Sequence, residues 1–195
     1  KKAYVTANIF ARNDDFAFLS DYFSYLAEIG ADAAIVSDIG AMSVLKKAAP
    51  SLALHVSTQA NTTNNYAVKF YAEELGAERV ILARELSLKE IAEIREFNPD
   101  TELEAFVHGA MCISYSGRCL LSDYLDGRSS NRGACVQACR WKYEIRALNP
   151  TNGETGFLPL EEDGRGAYIL NGKDLNMLSA LDELERAGVN SFKIE

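Results

Sequence analysis

The 195 residues set 20 Lys and Arg against 28 Asp and Glu, a formal charge of −8 at pH 7, and a chain of that sign does not coat nucleic acid by bulk attraction. Hydrophobic residues at 48% and charged ones at 25% describe an ordinary globular core and surface. No apolar run nears the ~20 residues of a membrane span, and the opening residues hold no secretory pattern, so the expectation is a cytoplasmic protein with no membrane partner.

In chain order the sequence alternates β-rich runs with helical stretches. Strands are expected at 3–9, 33–37, 52–58, 79–83 and 103–108, with helices between them at 15–29, 40–48, 64–75 and 87–97. Within the first helix Phe16, Leu19, Phe23, Leu26 and Ala27 recur at helical spacing and mark one buried stripe. After a long interruption a helix is expected at 174–187 and a last strand at 191–194. The segments EIGADAAIV (28–36), ELGAERVIL (74–82) and ERAGVNSFKI (185–194) form a weak repeat, each closing a helix on Gly before a β-rich run.

Repeated βα units imply parallel strands joined by right-handed crossovers, and near-continuously apolar strands fit such a sheet. The fold class is therefore α/β. Six strands do not close an eight-stranded barrel, and the chain opens without Met and stops within a strand, so the expectation is part of a (β/α)8 TIM-type barrel from a longer protein. A flavodoxin-like sheet is the alternative; no GxGxxG follows the first strand to suggest a dinucleotide site. The expected organisation is βα units over 1–108, a Cys-rich insertion over 109–168 and a return to the barrel over 169–195. The insertion includes a small β-hairpin in YEIRALNPTNGETGFLPL, with turn chemistry at NPTNG.

From Arg118 to Arg146 the insertion is basic, with Arg118, Arg128, Arg132, Arg140, Lys142 and Arg146 against Asp123, Asp126 and Glu144. It also holds all four cysteines, spaced Cys112-x6-Cys119-x15-Cys135-x3-Cys139. Four chemistries compete for them: disulfides, structural zinc, a nucleophilic thiol and an iron–sulfur cluster. Zinc prefers closer pairs than the first two cysteines offer. A cluster needs four converging thiolates and tolerates the spacing.

The run EAFVHGAMCISYSGRCLLS (104–122) resembles the signature of peptidase family U32, the collagenase-like proteins. That pattern is E-x-F-x-x-G, a small residue, an apolar residue, C-x4-G-x-C-x, an apolar residue and S, here carried by Glu104, Phe106, Gly109, Cys112, Gly117, Cys119 and Ser122. The continuation SDYLDGRSSNRGACVQACRWKY is similar to the branch linked to bacterial tRNA wobble-uridine hydroxylation, and NGKDLNML with AGVNSFKIE resembles a later strand of the same family. The resemblance implies a 4Fe–4S cluster on Cys112, Cys119, Cys135 and Cys139, with Cys139 the least secure ligand. It also implies oxygen-independent 5-hydroxyuridine synthesis in tRNA with prephenate as co-substrate, and leaves room for a partner protein subunit.

Two alternatives stand beside that reading: a collagenase-like peptidase and a zinc-stapled RNA-binding module. No HExxH or GxSxG motif supports proteolysis, and a cysteine–histidine pair would draw on His108 or His55. His55 reads as a satisfied core histidine. Catalytic candidates are His108, Asp38 and Gln59, the last two directly following apolar strands. Asn8, Asn61, Arg84 and Glu85 also stand at strand ends, where helix capping or a local ion pair competes with a site role. Arg84 suits a small carboxylate substrate. Arg118, Arg128, Arg132, Arg140 and Lys142 are candidate RNA phosphate contacts, with Tyr115, Tyr124, Trp141 and Tyr143 interleaved for base stacking or packing.

Overall fold

The computed structural model describes residues 1–141, 143, 146–148, 155–157, 162–163, 166–167 and 174–195. Five strands, β1 (Tyr4–Ala7), β2 (Ala33–Val36), β3 (Ala53–Val56), β4 (Ala77–Ile81) and β5 (Glu102–Gly109), lie side by side in chain order and all parallel. Helices α1 (Phe16–Glu28), α2 (Ile39–Ala48), α3 (Asn65–Glu73) and α4 (Leu88–Phe97) connect them. The insertion adds α5 (Leu121–Asp126) and two short antiparallel pairs, β6 (Arg146–Leu148) with β7 (Thr155–Phe157) and β8 (Glu162–Asp163) with β9 (Gly166–Ala167). Beyond it come β10 (Leu175–Asn176), α6 (Leu181–Arg186) and β11 (Ser191–Ile194), and β11 joins β5 in parallel.

Strand order separates the two candidate architectures. An open doubly wound sheet reverses its order at a switch point, whereas these strands advance in one direction, as in a barrel wall. Burial agrees. Ala34, Val36, Leu54, Val56, Val80, Leu82, Leu103, Ala105 and Val107 point outward and pack with Phe23, Leu26, Met42, Leu45, Val68, Ile91 and Ile94 of the helices. The alternate residues Ile35, Ile81 and Phe106 form a separate small cluster on the concave face. The sheet is a half-barrel with helices on its outer side only.

Local chemistry places the helices. Asp38 Oδ1 accepts from Ala41 N (2.9 Å) to start α2, and Asn64 Oδ1 accepts from Ala67 N (2.9 Å) to start α3. Ser87 and Glu90 form a reciprocal capping box on α4. The repeat glycines Gly30 and Gly76 have φ of 77° and 69°, the left-handed region that lets the chain leave a helix and turn into the next strand.

One element differs from expectation. Only Leu181–Arg186 of the segment 174–187 is α-helical; Leu175 and Asn176 pair antiparallel with Gly109 and His108, and a 3-10 turn follows. Met177 N donates to Val107 O (2.8 Å), and Asn176 Oδ1 accepts from Leu178 N (3.2 Å), so strand pairing and a side-chain turn displace the first helical turns. Leu175 packs on the Ile35–Ile81–Phe106 cluster, burial that a helix here would forgo. The β6–β7 pair is the expected hairpin, and its turn at 149–153 lies outside the described residues.

The concave face also carries a charged layer. Glu104 accepts from Arg79 Nη1 (3.0 Å) and Ser191 Oγ (2.9 Å) and faces Lys193 Nζ at 3.3 Å, while Arg79 also grips Glu102 (2.6 Å). His55 lies in this layer at 4% exposure, edge-on to Tyr4 with ring centroids 4.8 Å apart. It is a core histidine as expected but not a satisfied one, since Nδ1 lacks a partner among the described residues. Burial first, then the Arg79 charge, lower its pKa to about 4, against the opposing pull of Glu104 and Glu102.

Because the folded state holds this proton less tightly than the unfolded chain, stability is full above pH 6.5 and falls as pH drops towards 4. The loss is at most about 1.4 kcal/mol per pH unit. Urea unfolding between pH 7 and pH 5 is expected to show that slope, above the range where Glu102 protonates, and His55→Phe is expected to flatten it.

Candidate functional site

At the C-terminal ends of the strands a cleft of about 560 Å³ opens between the half-barrel and the insertion. Its floor is Ile35, Ile81 and Phe106; Asn8, Ser57, Gln59 and Arg84 form the barrel-side wall. All four cysteines line the opposite side. This is the face on which parallel strands aim their loops, and the long connection after β5 covers it because β5 ends directly at the mouth.

The four thiols are unbonded to one another. Leu121 N donates to Cys119 Sγ and Gln137 N to Cys135 Sγ, each at 3.3 Å, and Cys112 Sγ stands 3.9 Å from Ser114 Oγ. Burial raises the Cys139 pKa, and Cys112, Cys135 and Cys119 add to the rise while Arg140 opposes it. As placed, no group of three or more His, Cys, Asp and Glu among the described residues is set to hold a metal ion. The cysteines therefore share the cleft without being drawn onto one centre.

Several contacts dock the cysteine loops onto the barrel. Arg132 forks onto Asp15, with Nη1–Oδ2 and Nη2–Oδ1 both 2.8 Å, and also donates to Phe10 O (2.7 Å). That fork, with the Arg12 backbone N–H, holds the Asp15 carboxyl well below the usual carboxylate range. Asn61, at φ 55°, donates from Nδ2 to Ser116 O (2.9 Å) and accepts from Arg118 Nε (2.6 Å), and the Arg118 guanidinium lies 4.7 Å from the Phe10 ring centroid. Gly117, at φ +78°, presses its backbone on Gln59, where an added Cβ would come within 3.2 Å of the Gln59 stem. Ser130 Oγ donates to Cys119 O (2.5 Å), and the buried Ser122 Oγ accepts from Val136 N (3.2 Å).

The signature residues thus have physical roles: Glu104 anchors the charged layer, Phe106 is floor, Gly117 permits close approach and Ser122 ties Cys119's loop to that of Cys135.

Of the three catalytic candidates, only Gln59 lines the cleft. Asp38 is the N-cap of α2, and His108 is exposed on β5 outside the lining. Arg84 lies in the cleft with its side chain 8% exposed, donating to Ala110 O (2.9 Å), paired with Glu195 and stacked 3.9 Å over Phe106. Glu85 beside it is exposed and absent from the lining. Arg140 also lines the cleft and pairs with Asp174 at 2.6 Å.

Arg118 and Arg132 are engaged as docking contacts, Arg128 is exposed, and Lys142 lies outside the described residues. Tyr124 is 85% exposed, and Tyr115 and Trp141 are about half so at 46% and 41%. Tyr143 instead donates its hydroxyl to Ala138 O (2.5 Å). Sequence reasoning missed Lys193, Ser57 and the apolar floor; the period-2 alternation of β2, β4 and β5 was the signal for the floor.

Comparison with known proteins accords with this geometry. The chain is 42% identical over 194 residues to tRNA hydroxylation protein P1 of Bacillus subtilis, covering 100% of this chain and 44% of that protein. It is 39% identical over 231 residues to tRNA hydroxylation protein P of Escherichia coli, covering all of this chain and 51% of the relative. To the 23S rRNA 5-hydroxycytidine C2501 synthase of Escherichia coli it is 35% identical over 198 residues, 100% of this chain and 27% of that one. The chain thus spans about half the length, or less, of these curated relatives. The family model for peptidase family U32 matches residues 1–195, and with every residue inside the match this chain belongs to peptidase family U32.

Proposed function

We propose that this chain supplies the cysteine-lined half of an enzyme that hydroxylates a uridine of tRNA, with an iron–sulfur cluster on Cys112, Cys119, Cys135 and Cys139. The observation that carries the reading is that four free thiols line one cleft at the C-terminal end of a parallel half-barrel. Relatives named for tRNA hydroxylation and for 5-hydroxycytidine synthesis in rRNA support the substrate class.

The donor set fits the group. Soft thiolates select iron–sulfur clusters or zinc, and backbone N–H groups already point at two of the sulfurs, as they do around cluster thiolates. A bound 4Fe–4S cluster supplies one-electron chemistry that no side chain here provides. The chain's own residues bind and orient. Arg84 takes the carboxylate of a small co-substrate of the prephenate class by exchanging its exposed partner Glu195 for a ligand anion, and Arg140 flanks the same space. Arg128 and the exposed rings of Tyr115, Tyr124 and Trp141 receive RNA phosphate and unstacked bases at the rim. A tRNA substrate places the protein in the cytoplasm; among the described residues no helix is long and apolar enough to cross a membrane.

Proteolysis by a thiol needs a base beside it. Among the described residues His108 stands outside the cleft lining, His55 is buried beside Arg79, and neither hydrogen-bonds a cysteine.

The deciding experiment is iron, zinc and acid-labile sulfide content of the anaerobically purified full-length protein, followed by nucleoside analysis of tRNA from cells that express it or lack it. About four irons per chain and a 5-hydroxyuridine product dependent on the protein are expected. Zinc without sulfide would replace the cluster with a structural metal, and unchanged tRNA would remove the hydroxylase reading.

A further inference from the structure

The barrel-side wall of the cleft carries two side-chain amides above an apolar floor. Asn8, after β1, is held by Nδ2 donating to Ser57 Oγ (3.2 Å) and by Ser37 Oγ donating to its carbonyl (2.9 Å). Gln59, after β3, has its N–H on the same Ser57 Oγ (3.2 Å) and its stem pressed by Gly117 of the cysteine loop. Gln59 Oε1 is closed off from solvent and accepts no hydrogen bond among the described residues. A buried acceptor left unpaired is costly, and native proteins keep few of them. Here the orphan belongs to a side chain that lines the cleft, so the missing donor is one that a ligand brings. The terminal torsion of glutamine is broad and two-fold, which lets the amide turn its oxygen into the cleft.

An apolar floor of Ile35 and Ile81, with Phe106 beneath the Arg84 guanidinium, below an amide edge suits a planar heterocycle with hydrogen-bonding groups on its rim. Enzymes that modify a base extrude it from its stack, cover its faces with apolar side chains and read its Watson–Crick edge. Uracil offers N3–H beside the O4 acceptor, the complement of one carboxamide. We propose that Gln59 reads the target base, Oε1 accepting from N3–H of a flipped-out uracil while Nε2 donates to O4. This rests on the RNA reading above and adds the residue that selects the base. Because Gly117 lies against the same side chain, between Cys112 and Cys119, a base held on Gln59 is held beside the cysteine loop.

The test uses full-length protein carrying Gln59→Leu or Gln59→Glu, expressed in cells that lack the native gene. Three quantities are read: 5-hydroxyuridine per tRNA, iron per purified chain, and affinity for unmodified tRNA. Losing a bidentate base contact lowers product formation by roughly 10- to 100-fold for the Leu variant. The Glu variant, which keeps an acceptor for N3–H, falls between Leu and wild type. Iron content and tRNA affinity, which rest on the cysteines and on phosphate contacts, stay within about twofold of wild type. Wild-type product levels in the Leu variant would overturn the assignment. So would loss of iron alongside product, which would make Gln59 a packing support for the Gly117 loop. A wild-type protein that leaves every tRNA uridine unmodified defeats the RNA reading itself, and the base assignment with it.

Discussion

Serine in place of Cys119 is expected to remove most of the iron from the full-length protein and to lower 5-hydroxyuridine formation by at least about 100-fold, since even the outer partners of a metal ligand are worth 10- to 100-fold. The substitution changes one atom. Its hydroxyl is a harder donor that stays protonated at neutral pH, so it neither matches the softness of the site nor brings the negative charge a cluster needs. Cys119 is the cysteine most firmly built in: Leu121 N donates to its sulfur at 3.3 Å, and Ser130 Oγ holds its carbonyl. Serine there leaves the backbone supports intact, so loss of iron reports on ligation and not on unfolding; circular dichroism and the urea midpoint are expected to match those of wild type stripped of its iron. The same outcome is expected at Cys112, Cys135 and Cys139. Full iron retention in the Cys135 variant alone would mean that this exposed thiol stands outside the ligand set.

Replacing Glu104 by Leu is expected to destabilise the fold by about 3–5 kcal/mol, the usual cost of removing one partner from a buried charge network. Its side chain is 7% exposed and serves three donors at once: Arg79, Ser191 and Lys193. Without it Arg79 keeps Glu102, whose side chain is 52% exposed, a longer contact to Ser191 Oγ (3.4 Å) and the Tyr4 ring, and Lys193 loses the carboxylate that holds it beside the cleft. Arg79→Met in the same chain is expected to recover part of the loss, because the second substitution removes the stranded charge. Urea unfolding at pH 7 of the two single variants and the double variant measures both effects as a cycle. A loss below about 1 kcal/mol for Glu104→Leu would show that water screens this layer as it does a surface pair.

The alternation of elements was legible because it is a local property. Helix boundaries expected from apolar spacing and from Gly30 and Gly76 lie within two residues of the observed ones; capping by Asn64 and Ser87 moves the starts of α3 and α4 one residue later, and capping by Asp38 moves that of α2 one residue earlier. The exception at 174–187 follows the same logic in reverse. Its apolar spacing is compatible with a helix, but β5 offers an unpaired edge at His108 and Gly109, and nothing within the segment itself announces that edge.

The candidate site divides along the same line. Four cysteines in one short segment, the Glu104–Ser122 signature and a basic insertion are properties of the sequence by itself, because residue type and spacing alone define them. So are the parallel βα architecture and the family. Which polar strand ends face the cleft was decided by tertiary structure. Asp38 and Gln59 each follow an apolar strand, yet one turns back to cap α2 while the other enters a 3-10 turn that points it at the cysteine loop. Arg132 reads as a phosphate contact until Asp15, 117 residues away, takes both arms of its guanidinium. Spacing along a chain encodes period and local hydrogen bonding. The partner of a charge, the burial of a histidine and the wall of a cleft come only from chain segments brought together by the core.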